Sequence, residues 1–460
     1  MKKVSFEDVL AYREKRARRR EELLSKYSLP LACFDLNIPG EYADFPWALR
    51  SFHDGLEAFT LALEAEGMGI LYEERNAESL GCTADFSVSA APDSLKALAL
   101  RVEETHPLGR LFDIDVYEPG GMIYRQYGGV DARPCLVCGK SGFLSARGCA
   151  HSPLELRFSA EKLMEGAFRQ KLADLVSQAA IWAMMSEAAI TPKPGLIDRM
   201  NSGAHEDMNY FTLIDSASAL LPWFRSSALA GFDSGGKGQS ARSLFEALRP
   251  AGRIAEVLMK RAAGGVNAHK GYIFSLGVLS AAYGRLYRIR EKPDLDEVLE
   301  FSKEMTCTLG EDFSRLEARK GSAKEPSHGE EAYERDGILG IRGEVSLGFP
   351  TVKEKALPLL HTMLEEGYSL NDSSVAVLLK LLAHAEDTNF IHRGGLKALA
   401  AVQEDLVSFF ADGPDMEQIW RKAAALDGEF IPLNLSPGGS ADLLGITLFL
   451  YRLFGNNSRG

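Results

Sequence analysis

Two periods alternate along the first third of the chain. Apolar residues fall near every second position in Leu31 to Ile38, Gly69 to Glu74, Ala84 to Ala91 and Leu111 to Tyr117, the pattern of strands. They fall every three or four positions in Phe45 to Glu66 (Ala48, Phe52, Leu56, Phe59, Leu63) and in Ser94 to Glu104, the pattern of helices. Glu118-Pro119-Gly120-Gly121 turns the last strand back into Met122 to Gln126 as a hairpin. The order β-α-β-β-α-β plus a hairpin strand predicts an α/β (α+β) domain with a mixed or antiparallel sheet, the order of a split-βαβ sandwich.

After Pro153 the strand period disappears. From Ser159 onward nearly every segment repeats at helical spacing. Lys162 to Ala189, Phe211 to Phe224, Ser243 to Ala263, Tyr272 to Arg288, Asp294 to Leu316, Val352 to Glu366 and Ser440 to Phe454 are examples. The switch predicts a multidomain chain, with an N-terminal α/β domain over residues 1–157 and an all-α helical bundle over 158–460. Gly321 to Ile341, rich in Glu, Gly and Lys, has the length and polarity of a lid or of an insert without fixed structure.

Composition narrows the class. The net charge is −12, and the split gives 19 basic against 24 acidic residues before the boundary and 33 against 40 after it. Neither part is basic, so no nucleic-acid partner is expected. The segment up to Tyr27 is crowded with charge and reads as an exposed helix, not a signal peptide. No apolar run reaches the roughly 18 residues of a membrane span; Leu443 to Phe454 is broken by Gly445, Thr447 and Arg452. Six cysteines without an export signal predict a reducing, cytoplasmic setting with no membrane contact.

Gly109-Arg110-Leu111-Phe112-Asp113-Ile114-Asp115-Val116 is the sharpest feature of the first part. On a strand Asp113 and Asp115 share one face while Phe112, Ile114 and Val116 enter the core. Two carboxylates about 7 Å apart can hold Mg²⁺ against substrate phosphates, with Arg110 supplying a guanidinium to a phosphate; an idle solvent-facing strand is the alternative. Cys135-x2-Cys138-x10-Cys149-x-His151 offers four donors for a structural Zn²⁺, or else reduced cysteines near the boundary.

His106-Pro107-Leu108-Gly109-Arg110 running into Asp113-Ile114-Asp115-Val116, then Arg133-Pro134-Cys135-Leu136-Val137-Cys138 and Ala146-Arg147, resembles holo-citrate lyase synthase. That family is also called apo-citrate lyase phosphoribosyl-dephospho-CoA transferase. The resemblance implies transfer of a phosphoribosyl-dephospho-CoA group to a serine of the acyl carrier protein (gamma) subunit of citrate lyase, with release of pyrophosphate. It makes Asp113 and Asp115 catalytic metal ligands.

The helical part carries five polar connectors where turns would suffice. They are Thr191 to Met208, Gly264 to Gly271, Arg342-Gly343-Glu344 with Gly348-Phe349-Pro350, Glu386-Asp387-Thr388-Asn389 with Arg393-Gly394-Gly395, and Ser436 to Asp442. Singly each reads as a turn or a cap. Gathered at one end of a bundle they predict a cleft with carboxylates for metal and cations for polyphosphate. Gly231 to Gly238 nearly spells a P-loop, but it lacks Ser or Thr after Lys237 and has no strand before it, so a mobile surface loop is expected.

In order, the five connectors resemble triphosphoribosyl-dephospho-CoA synthase, with Ala268 departing from the threonine expected before His269-Lys270. The resemblance implies that ATP loses adenine as its ribose C1 joins the 2′-hydroxyl of dephospho-CoA, the triphosphate staying attached. Lys193, Arg199, His269, Lys270, Arg393, Gly438 and Gly439 then become candidate phosphate binders. Asp207 and Asp442 become candidate Mg²⁺ ligands, and His205, Glu344 and Asp387 candidate acid–base groups. The reading is a transferase fusing both steps of prosthetic-group maturation. A nucleotide N-glycoside hydrolase fused to a zinc-stabilised docking module is the alternative.

Overall fold

The computed structural model describes residues 6–38, 46–78, 81–124, 134–139, 151–307, 309, 335 and 337–455. The chain divides into two compact units, Met1–Gln170 and Lys171–Gly460.

In the first unit α1 (Phe6–Tyr27) precedes β1 (Leu31–Leu36), α2 (Ala48–Ala65), β2 (Gly69–Glu78), β3 (Gly81–Ser89), α3 (Pro92–Thr105), β4 (Phe112–Glu118) and β5 (Gly121–Ile123). The strands form one sheet in the order β2-β3-β1-β4-β5, and every pairing is antiparallel, not mixed. Residues 125 and 126, expected in the hairpin, lie outside the described residues. Alternation decides the faces: Phe34, Phe86, Phe112, Ile114 and Val116 are all fully buried on one side. Phe34 lies 5.2 Å from Phe112 and 5.7 Å from Phe52 of α2, so aromatic rings build this core. Gly55 lets α2 approach, because a Cβ there would stand 2.5 Å from the Phe34 ring.

The charged N-terminal helix is not simply exposed. Its spacing of three and four brings Arg16, Arg19, Arg20, Leu23 and Tyr27 onto one face, which lies on the sheet. Leu23 is buried with Leu31 and Cys33. Arg16 pairs with Asp35 at 2.5 Å, Arg19 with Glu74 at 2.8 Å, and Arg20 stacks on Tyr117 at 4.7 Å.

Helix α4 (Pro153–Ala189) leads into the second unit, where α5 (Tyr210–Ala219), α6 (Leu221–Gly236), α7 (Ala241–Ala262), α8 (Lys270–Tyr287), α9 (Leu295–Thr306) and α10 (Ile341–Ser346) follow. A π turn at Val352–Ala356 precedes α11 (Leu357–Glu365), α12 (Leu370–Leu382), α13 (Thr388–Gly394), α14 (Leu396–Ala411), α15 (Met416–Phe430) and α16 (Gly438–Phe454). None of the described helices is long and apolar enough to cross a membrane.

Three departures from the sequence reading have simple causes. Phe211 to Phe224 is two helices, because Pro222 in the first turn of α6 has no N–H to continue the ladder of α5. Val352 to Glu366 opens as a π turn for the same reason, with Pro358 in the first turn of α11. Gly231 to Gly236 is helix, not loop. There α6 lies so close to α8 that a Cβ on Gly231 would stand 1.9 Å from Ala281 O, and one on Gly284 2.1 Å from Ala228 O. Those glycines serve helix packing. Helices α10 and α13 lie within segments read from the sequence as polar connectors, and most of Gly321 to Ile341 lies outside the described residues.

Candidate active sites

In the first unit Asp113 and Asp115 stand on the face of β4 opposite its buried Phe112, Ile114 and Val116. Register adds two acids that spacing along one strand does not reveal. Asp35 of β1 is directly opposite Asp113, while Cys33 is opposite both Asp115 and Asp85 of β3. Opposed residues share a face, so four aspartates from three strands look the same way. Burial leads the effects that raise the Asp35 pKa, opposed by Arg16 and reinforced by Asp113. Asp85 is buried and its Oδ1 has no hydrogen-bond partner among the described residues. Arg110 sits in the 3-10 turn Gly109–Leu111 just before β4. Gly109 is obligatory there, since a Cβ would stand 2.3 Å from Glu103 O.

The aspartate strand is gripped from α3. Ile114, the residue between the two aspartates, donates its N–H to Glu103 Oε1 at 2.8 Å and accepts from Lys96 Nζ at 2.9 Å on its carbonyl. Both side chains are buried. Replacing Glu103 with Ala leaves that N–H unsatisfied, and denaturant unfolding should show a loss of about 1–3 kcal/mol; an unchanged midpoint would contradict this role.

Cys135, Cys138 and His151 converge, their ligand atoms lying within 4.8 Å of one another. Cys149 lies outside the described residues.

In the second unit residues from all five connectors line one cavity of about 600 Å³. Helices α8 and α16 set its geometry. Tyr272 Oη donates to Ala441 O at 2.8 Å, and a Cβ on Gly445 would stand 2.1 Å from that hydroxyl, so the two helices touch at their first turns. Both N-termini therefore open on the cavity, presenting Lys270 and Gly271 from α8 and Gly438, Gly439 and Asp442 from α16. The Asp442 carboxylate packs over Gly271, where a Cβ would come within 1.8 Å of Oδ2. Burial, then Glu187 and Asp387, push the Asp442 pKa well above the ordinary aspartate range.

Lys193 is buried against Glu187, with Nζ 2.6 Å from Glu187 Oε1 and 2.9 Å from its carbonyl oxygen. Asp198 holds that loop by accepting from the Lys193, Met200 and Asn201 amides at 3.2, 2.7 and 3.0 Å. Arg393 ties three connectors together: Nη1 donates to Ala204 O at 2.7 Å and to Asn434 Oδ1 at 2.9 Å, while Nη2 lies 3.4 Å from His205 Nδ1. His205 Nε2 lies 3.0 Å from Ser436 Oγ. Burial and the Arg393 charge drive the His205 pKa down to about 4, with Asp207 opposing them. His269 is buried, with Nδ1 2.7 Å from Ser216 Oγ and Nε2 without a hydrogen-bond partner among the described residues. Burial, then Lys193, lower its pKa to about 3, so both rings are neutral at pH 7.

Lys193, His205, Asp207, His269, Lys270, Arg393, Gly438, Gly439 and Asp442 thus line the cavity together. Arg199, Glu344 and Asp387 are absent from that lining. Arg199 reaches Asn371 Oδ1 at 3.3 Å and Thr191 Oγ1 at 3.5 Å. Glu344 accepts from Thr351 Oγ1 at 2.5 Å and from the Thr351 amide at 3.2 Å. Asp387 is fully buried, capping α13 through the Phe390 amide at 3.0 Å and holding α16 through Ser440 N at 2.7 Å and Oγ at 2.9 Å. Glu187 was missed, because it reads as one more polar residue near the end of a helix; only its partner Lys193, six positions on, hints at it.

Two family models match this chain. Residues 173–459 match the ATP:dephospho-CoA triphosphoribosyl transferase model, and residues 4–167 the apo-citrate lyase phosphoribosyl-dephospho-CoA transferase model. Protein CitXG of Haemophilus influenzae is 32% identical over 99% of this chain and 97% of its own length. Protein CitXG of Leuconostoc mesenteroides subsp. cremoris is 31% identical over 99% of this chain and 98% of its own. This chain belongs to the CitXG family. A probable 2-(5''-triphosphoribosyl)-3'-dephosphocoenzyme-A synthase of Vibrio cholerae is 40% identical over 61% of this chain and 89% of its own length. The CitXG member described here is therefore a multifunctional transferase of citrate lyase prosthetic-group synthesis, of a family whose substrates are ATP and dephospho-CoA.

Proposed function

We propose that residues 158–460 make 2'-(5''-triphosphoribosyl)-3'-dephospho-CoA from ATP and dephospho-CoA, and that residues 1–157 transfer its phosphoribosyl-dephospho-CoA part to a serine of the acyl carrier protein (gamma) subunit of citrate lyase. The observation that carries the first step is the cavity itself, where two helix N-termini, Lys193, Lys270 and Arg393 surround the carboxylates of Glu187 and Asp442.

In that step the 2′-hydroxyl oxygen of dephospho-CoA bonds to C1 of the ATP ribose as the C1–N9 bond to adenine breaks. The hydroxyl proton goes to a base, and adenine leaves with a proton on its ring. Asp442 is the base: its raised pKa makes it a stronger proton acceptor than an ordinary aspartate, and its negative form faces the positive charge growing on the ribose. Lys270, the Nε2 edge of His269 and the amides opening α8 and α16 take the triphosphate. Lys193 is held by Glu187 and acts as a fixed positive wall. Arg393 and Asp387 are positioning residues, the first clamping the loop that carries His205, the second docking α13 to α16. Asp207, a hard carboxylate on the same cavity, fits Mg²⁺ by donor type; Mg²⁺ there would neutralise triphosphate charge.

In the second step a serine hydroxyl oxygen of the carrier protein bonds to the phosphorus next to the ribose, and pyrophosphate leaves. Asp113 and Asp115 fit Mg²⁺ by donor type, two hard carboxylates on one strand face, with Asp35 and Asp85 adding negative charge on the same face. Mg²⁺ held there would stabilise the transferring phosphoryl group, and Arg110 would meet the departing phosphates.

The test incubates the purified chain with ATP, dephospho-CoA and Mg²⁺ and follows adenine release and product mass. Dephospho-CoA-dependent adenine with a triphosphoribosyl adduct is expected; adenine released without dephospho-CoA would mean a hydrolase instead. The acid limb of kcat carries the sign of the base. Activity requires ionised Asp442, so it falls as pH drops through a pKa above the usual aspartate value of about 3.9. Neutral His205 and His269 add no step between pH 6 and 7.

A further inference from the structure

The cysteine pair and histidine near the end of the first unit take no part in either transfer. We propose that Cys135, Cys138 and His151 bind a structural zinc ion that fastens the Cys-x2-Cys turn to the start of α4.

Two separately fixed pieces bring the donors together. On one side, Cys135 to Cys138 forms a turn closed by Gly139, whose N–H donates to Cys135 O at 2.9 Å. Gly139 has φ +68°, and a Cβ at that angle is strained, so glycine is what lets the chain curl both sulfurs to one side. On the other side, His151 immediately precedes the first turn of α4, which is locked by its own cap. Ser152 donates from N and Oγ to Glu155 Oε2 at 2.7 and 2.9 Å, and Glu155 N returns a bond to Ser152 Oγ at 3.3 Å. Neither piece owes its shape to the other, yet the three ligand atoms lie within 4.8 Å of one another. Donors on a tetrahedral zinc stand about 3.5–3.8 Å apart, given Zn–S near 2.3 Å and Zn–N near 2.0 Å, so closure needs only small rotations.

The chemistry selects the ion. Two thiolates and an imidazole favour zinc over the hard cations Mg²⁺ and Ca²⁺. The histidine supplies the independent sign of a ligand: its Nε2 is buried and has no hydrogen-bond partner among the described residues. A ring nitrogen stripped of water and left without a partner is destabilising. A disulfide between Cys135 and Cys138 would leave that nitrogen as it is, and the two cysteines are in fact reduced. A metal answers all three groups at once. Three protein donors leave the fourth tetrahedral position for a further ligand or water. The ion would close the chain between residues 138 and 151, and so removes conformational freedom from the unfolded chain.

The experiment uses the full-length chain, purified under reducing conditions, loaded with Zn²⁺ and passed through gel filtration with a weak chelator. Mass spectrometry of the metal should then find about one zinc per chain. The Cys138→Ser and His151→Ala chains should bind it at least tenfold more weakly, which corresponds to about 1.4 kcal/mol or more. Co²⁺ in place of zinc should give a thiolate-to-cobalt absorption band with the intense visible bands of a tetrahedral site. Thiol titration of the loaded native chain reads the site without any variant: strong chelation should raise the number of reactive thiols by about two. A native chain that retains no zinc, or thiols equally reactive before and after chelation, would overturn the proposal. So would a Cys138→Ser chain that keeps a full complement of zinc.

Discussion

Asp442→Asn lowers adenine release by about a thousandfold, within the 10²–10⁴ range for removal of a general base, while transfer of supplied precursor to the carrier protein continues. Asparagine keeps the shape that fits over Gly271, so the α8–α16 contact survives and the change removes only charge and basicity. The carboxylate stands just past the first turn of α16, near Glu187 and Asp387, and those two like charges, after burial, hold its proton affinity up. Among the described residues no other carboxylate has that combination of a cavity-facing position and a raised pKa. Glu344 is raised by burial too, but it is committed to Thr351 and is absent from the cavity lining. The assay is steady-state adenine release at saturating ATP, with KM for ATP expected to change little. Activity within about threefold of the unmodified chain would remove Asp442 from the reaction.

The opposite pattern is expected for Asp113→Asn and Asp115→Asn. Each should lose carrier-protein modification by about 10³-fold, on the scale seen when one electrostatic stabiliser is removed from a transfer site, with adenine release untouched. The substitutions are isosteric, and the strand stays anchored by Lys96 and Glu103 at Ile114, so loss of function would not report loss of fold. Mass spectrometry of the carrier protein supplies the readout. Full modification by both variants would mean that the aspartate face only docks the carrier protein. Asp35→Asn should act less strongly and at the helix as well, because Asp35 already carries the Arg16 pair.

Much of this architecture was legible because its signals are local. Period two and period 3.6 are properties of consecutive residues, so strands β1 to β4 and most helices were placed within a few positions. The errors sit where a single residue overrules a pattern. Pro222 and Pro358 split helices that apolar spacing ran together. The glycines at 231 to 236 mark a place where two helices touch, although the same residues elsewhere make a loop. The charged face of α1 looked solvated because the sequence does not say that acids from two other strands lie opposite its arginines.

The sites divide in the same way. Sequence alone determined the family resemblance, the paired aspartates on one strand face and the five polar connectors, since each is a short string whose residue types carry its chemistry. Which carboxylates stay available for chemistry was decided by the tertiary structure. Asp387 and Glu344 looked like Asp442 in sequence, each an acid in a polar connector, but the first is consumed by the amides of α13 and α16 and the second by Thr351. Glu187, Asp35 and Asp85 were silent in the chain and became part of the sites through a buried lysine and through strand register. The physical reason is that an acid's role depends on what else competes for its oxygens. That competition is between residues tens to hundreds of positions apart, which only the fold brings within hydrogen-bond range.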